Sequence, residues 1–195
     1  MESFRVQLSR ELVGFEKLFC LYGNWVTIAH VAHLSGDASL LLNNADHVIR
    51  QLLKRHPRLR SRVRIHRDQV DSLNQTCLFE TLEYDNVFTS IDVLKHFYEI
   101  RHTHDVNEWK KLTEEECNRN PYDPTLSLIF PVFRFLFVLN THDHHEFQLI
   151  LFSNHCATDG ESGYIIINDF LSLAKSPVDQ EPSSENTSEN DICRR

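Results

Sequence analysis

Apolar residues between Ser39 and Arg55 recur at helical spacing. Leu41, Ala45, Val48, Ile49, Leu52 and Leu53 fall on one face, which predicts an amphipathic helix. Pro57 ends it, because proline disfavours helical geometry in the residue before it. Two other stretches alternate with period two instead. Val26 to Leu34 sets Val26, Ile28, His30 and Ala32 against Thr27, Ala29, Val31 and His33, and Ser35-Gly36-Asp37 closes this strand as a turn. Arg58 to His66 sets Leu59, Ser61, Val63 and Ile65 against Arg58, Arg60, Arg62, Arg64 and His66. That is again a strand, and its arginine face reads as solvated except at Arg60.

Weaker patterns fill the rest. Leu12 to Phe19 reads as a short helix with Leu12, Phe15, Leu18 and Phe19 on one side. Leu78 to Leu82 suggests a strand and Ile91 to Tyr98 a helix. Asp105 followed by Glu108 resembles a capping box, so a mostly polar helix is expected to about Arg119, ended by Asn120-Pro121. Pro131 to Leu139 and Phe147 to Ser153 are apolar on both faces, so both strands belong inside a sheet. The polar gap between them, Asn140 to His145, is a hairpin loop. Ile165, Ile166, Phe170, Leu173 and Ala174 predict a helix with a partly buried face. From Ser176 the composition turns polar and acidic and loses its rings. Such a stretch buries too little apolar area to offset ordering entropy. The chain therefore divides into a folded lobe, 1–175, and a disordered acidic linker or tail, 176–195.

Composition narrows the function classes. The chain has 195 residues and a formal net charge of −8. An acidic surface suits neither phosphate neutralisation on nucleic acid nor an anionic membrane. The longest apolar run, Leu126 to Leu139, contains Pro131 and Arg134 and is too short for a membrane span. Five scattered cysteines give neither a disulfide framework nor a zinc ribbon. With charges near the N-terminus and no apolar signal core, a cytoplasmic location is expected. His142, His144 and His145 with Asp143 are weighed as a metal site and read as exposed loop residues, so no metal is expected.

The chemistry concentrates where the second buried strand ends. Asn154-His155-Cys156-Ala157-Thr158-Asp159-Gly160 puts an imidazole at the mouth of a sheet. A neutral imidazole there can take a proton from a hydroxyl or amine. Asp159 can orient it or pin the loop, and Gly160 allows a tight turn into the next helix. Cys156 reads as a packed cysteine rather than a nucleophile. Twelve histidines make His-x-x-x-Asp spacing common by chance, so the segments around it matter.

Those segments resemble the condensation-domain acyltransferases and their relatives, the alcohol acetyltransferases and plant BAHD enzymes. Asn154 to Gly163 is similar to their His-His-x-x-x-Asp-Gly-x-Ser signature, with Asn154 in place of the first histidine. Pro131-Val132-Phe133-Arg134 resembles the Pro-Leu-x-Arg strand. Arg55 to Val63 resembles the His-Pro-x-Leu-Arg segment, and Leu12 to Lys17 the Leu-Gly-x-x-Glu-Lys opening. The four stand in the family's order. The resemblance implies an α/β, chloramphenicol acetyltransferase-like single lobe, with helices packed on a mixed β-sheet. It implies that His155 is the catalytic base and Asp159 a structural acid paired with Arg60, an ion pair that suits a buried carboxylate. It implies an acyl group passing from a coenzyme A or carrier-protein thioester to an alcohol or amine, with no tightly bound cofactor. The family has two lobes with the active site between them, and the second lobe's Asp-Phe-Gly-Trp-Gly type motif has no match here. A partner lobe on another chain or self-association is therefore expected. The rival expectation is a non-catalytic lobe used for binding, or an inactive fragment.

Overall fold

The computed structural model describes residues 4–21, 27–66, 75–85, 88, 90–105, 107–118, 128–129, 132–142 and 145–175. Among them the elements run β1 (Val6–Glu11), α1 (Gly14–Leu21), β2 (Thr27–Ser35), α2 (Ala38–Arg55), a 3-10 helix (Pro57–Arg60), β3 (Ser61–His66) and β4 (Thr76–Leu82). They continue with α3 (Ile91–Leu94), β5 (Tyr98–Thr103), α4 (Glu108–Asn118), β6 (Leu128–Ile129), β7 (Phe133–Asn140), β8 (Glu146–Asn154) and α5 (Gly160–Ala174). The tail expected to be disordered, 176–195, lies outside the described residues.

The strands form two sheets rather than one. The first has order β1-β4-β3-β6 and the second β2-β8-β7-β5. The second is mixed: β2, β8 and β7 are antiparallel, and β5 runs parallel to β7. The doubly apolar β7 and β8 are its central strands, as their composition predicts. One face meets α2 and α5 through Phe135, Phe137, Leu149 and Leu151. The other presents Leu136, Val138, Ile150 and Phe152 to Trp109 and Leu112 of α4. The fold is thus α/β, with helices on both faces of a mixed sheet.

Helix α2 follows its sequence pattern closely. Asp37 caps it by accepting the Ser39 N–H, and its buried residues are Leu41, Ala45, Val48, Ile49, Leu52 and Leu53. Side chains of this size contribute about 1.5–3 kcal/mol each when removed from water, so this face is a main anchor of the lobe. The arginine stretch is less regular than its alternation suggests. Pro57 to Arg60 winds into a 3-10 helix, and only Ser61 onward is strand. Nor is the arginine face simply solvated. Arg62 is buried and pairs at 2.7 Å with Glu80, which Arg64 also reaches at 3.4 Å. Arg62 and Glu80 stand directly opposite in the β3–β4 register, where opposite charges attract across strands. Ile91 to Tyr98 is helical only to Leu94, because the chain turns there into β5.

Candidate functional site

Strand β8 delivers the candidate site. From Leu151 to Thr158 every residue is buried except His155, which is exposed. The reason lies in how the turn is tied. Asn154 Oδ1 accepts the Cys156 N–H at 2.9 Å, and its carbonyl accepts from Ala157 N at 2.9 Å and Thr158 N at 3.1 Å. Thr158 donates its hydroxyl to Ser153 Oγ at 2.5 Å. Asn154, which stands where the signature has its first histidine, therefore works as an Asx-type cap on the turn. With the backbone tied inward, the His155 imidazole projects out. The Phe19 ring of α1 stacks on it, with centroids 5.0 Å apart and planes within 11°.

Asp159 caps α5. Its Oδ1 accepts from Ser162 N at 2.8 Å and from Ser162 Oγ at 2.6 Å. The Ser162 hydroxyl and N–H hold its carboxyl below the usual carboxylate range, and the His155 imidazole acts in the same sense. The carboxylate is thus ionised at neutral pH and faces solvent. On the buried side, Cys156 is packed away, and a hydrogen bond to it, with burial, pushes the Cys20 thiol up. Cys20 is then a neutral thiol at physiological pH.

The expected Asp159–Arg60 ion pair does not form. Arg60 is 6% exposed and donates to Leu82 O at 2.7 Å, Leu53 O at 2.8 Å and Gln7 Oε1 at 3.1 Å. Among the described residues no carboxylate pairs with it. Each group satisfies a nearer need: Asp159 takes up the N–H and hydroxyl of Ser162 in the first turn of α5, and Arg60 supplies donors to a carbonyl in the last turn of α2 and one at the end of β4. Arg60 therefore fastens α2 to the first sheet and takes no part in the His155 loop. Gly160 is also less special than its position suggests. It is not among the glycines with positive φ, Gly14 and Gly36, and a Cβ added there would meet nothing within 4 Å. The glycine that packing demands is Gly163, whose added Cβ would sit 2.1 Å from the His30 ring.

Sequence reasoning also missed Phe19 and His30 as parts of this neighbourhood. In the family-like segments before the loop, Arg134 on β7 pairs with Glu99 of β5 at 3.1 Å and Glu116 of α4 at 2.6 Å. His56 bonds Asp169 of α5 at 2.8 Å, with Arg55 at 3.2 Å. Among the described residues no group of three or more metal-ligating side chains gathers. Asp143 and His144 of the weighed loop lie outside them. A cavity of about 230 Å³, lined in part by Asp37, His102 and Glu146, lies at the opposite end of β8 and is separate from His155. Among the described residues no helix is long and apolar enough to cross a membrane.

No family model matches the sequence, and no curated protein matches it. Solved structures do. The condensation domain of the monacolin K polyketide synthase MokA aligns at TM-score 0.61 and 14% identity, over 87% of this chain and 35% of its own. The starter condensation domain of the rhizomide synthetase RzmA aligns at 0.58 and 10%, over 86% of this chain and 38% of its own. The SgcC5 protein from Streptomyces globisporus aligns at 0.51 and 20%, over 82% of this chain and 35% of its own. The chain has the fold of a condensation-domain lobe, of the chloramphenicol acetyltransferase-like kind, and spans little more than a third of the length of these chains.

Proposed function

We propose that this chain is an acyltransferase lobe in which His155 is the general base. The single exposed residue in an otherwise buried turn, at the end of a central strand of a condensation-type lobe, supports this reading. The imidazole would accept the proton of an alcohol or amine as its oxygen or nitrogen attacks a thioester carbonyl. The new C–O or C–N bond forms, the C–S bond breaks, and the leaving thiolate takes the proton back from the imidazolium. The donor would be a coenzyme A or carrier-protein thioester. Phe19 would hold the imidazole plane, and Asp159 would hold the far end of the loop as the cap of α5.

A complementary lobe would complete the site. The exposure of Phe15, at 76%, next along α1 from the His155 stack, supports that need. The exposed Phe15 also suits a second reading, a non-catalytic binding lobe. Thiol release from acetyl-coenzyme A, with primary alcohols and amines as acceptors, separates the two. Turnover lost in His155→Ala supports the base. Turnover that survives it refutes the base, and no turnover with any complementary lobe favours the binding reading.

A further inference from the structure

His30 lies midway along β2, opposite Leu151 of β8, and is 4% exposed. The proposed chemistry makes no use of it. Its Nε2 sits 3.0 Å from the Gly160 carbonyl oxygen. A carbonyl only accepts, so Nε2 carries the proton. Nδ1 is buried with no hydrogen-bond partner. Such an atom costs stability, so a residue chosen for packing alone would carry no nitrogen there. The ring also fits closely under α5. A Cβ on Gly163 would come 2.1 Å from His30 Cε1 and 2.4 Å from both ring nitrogens, and Tyr164 meets the ring edge-to-face at 5.1 Å.

We propose that His30 is a positioning residue for His155: it holds the Gly160 carbonyl and seats the first turn of α5 through the space left by Gly163. That turn begins at the Asp159 cap, so fixing it fixes the far end of the His155 loop. The near end is already fixed by Asn154. The two ends define where the exposed imidazole stands. The consequence for turnover rests on the reading of His155 as the base, whereas the positioning itself does not.

The test uses the full chain with His30→Phe, His30→Gln, Gly163→Ala and the double variant His30→Ala/Gly163→Ala, with Gly160→Ala as control. Three quantities are read: amide exchange at Thr158, Ser162 and Gly163, the NMR resonances of the His155 ring, and the urea midpoint. His30→Phe removes the donor and the stranded nitrogen together. It should speed loop exchange roughly five- to tenfold, the loss of about one hydrogen bond, and shift the His155 resonances while the urea midpoint holds or rises. His30→Gln retains a donor and should restore protection. Gly163→Ala should disturb the loop, the double variant should relieve that clash and leave only the faster exchange of the lost His30 donor, and Gly160→Ala should do nothing. Unchanged exchange and unchanged His155 resonances in His30→Phe would overturn the proposal. So would a uniform loss of stability in Phe and Gln variants alike. If His30→Phe does not fold, the Gly163 pair decides: relief of the Gly163→Ala disturbance down to the level of a lost donor supports the lock, and no relief refutes it. Thiol release separates the two ideas. Loop changes without turnover in any variant, wild type included, would sink the base and leave the positioning intact. Where wild type turns over, His30→Phe should lower kcat and leave KM nearly unchanged.

Discussion

Arg60 and Asp159 offer a clean separation between two accounts of the same sequence. Arg60→Met keeps the apolar stem and removes the guanidinium. The Leu53 and Leu82 carbonyls then lose charged donors at 2.8 and 2.7 Å, each bond worth about 1.5–3 kcal/mol. A loss of roughly 3–5 kcal/mol is expected, since two buried acceptors are stranded together. Asp159→Asn removes the charge but retains a good capping residue, so stability should barely change. The two effects should add in the double variant, because the residues share no partner. Urea unfolding of wild type, both single variants and the double variant, with equal m values, measures this. A buried ion pair behaves otherwise: removing either partner is costly, about 3–5 kcal/mol, and removing the second adds little. If Asp159→Asn is strongly destabilising alone and harmless in the Arg60→Met background, the assignment of separate roles is wrong.

Two further outcomes follow from the packing around α5. Burial tends to raise the carboxyl of Asp169, but hydrogen bonds from His56 and Arg55 outweigh it and leave the value lowered. Its contribution is therefore complete above the ordinary carboxylate value, near about 3.9, and fades as pH falls through the lower folded value. Urea midpoints from pH 6 to 2.5 should show an acid loss that Asp169→Asn flattens, and an unchanged slope would contradict this. Phe170 is fully buried and touches Phe135 and Phe137 at ring-centroid distances of 4.7 and 5.8 Å. Phe170→Ala should cost about 3–5 kcal/mol in the same assay, and a loss below about 1 kcal/mol would mean that α5 does not pack on the sheet as described.

Legibility in the sequence followed burial. Helix α2 buries one whole face and strands β7 and β8 bury both, so the helical periodicity of the first and the continuous apolar runs of the others are strong and their placement is readable. β1 and β5 are edge strands with mostly exposed or half-exposed side chains. Their residues carry little apolar alternation, and neither strand was anticipated. The exposed place of His155 was readable because a buried strand ends just before it. The partners of Arg60 were not, since they are backbone carbonyls, which no side-chain pattern reports. The fit of His30 to Gly163 joins residues far apart in sequence, and a glycine inside a helix shows no need for its missing Cβ until the opposing ring is placed.

The most direct test of the account is thiol release from acetyl-coenzyme A by the chain with a complementary condensation-type lobe, comparing wild type with His155→Ala. The account predicts acceptor-dependent release that falls by about 10²–10⁴-fold in the variant, the usual contribution of a positioned base. Release at equal rates in the two proteins would contradict it.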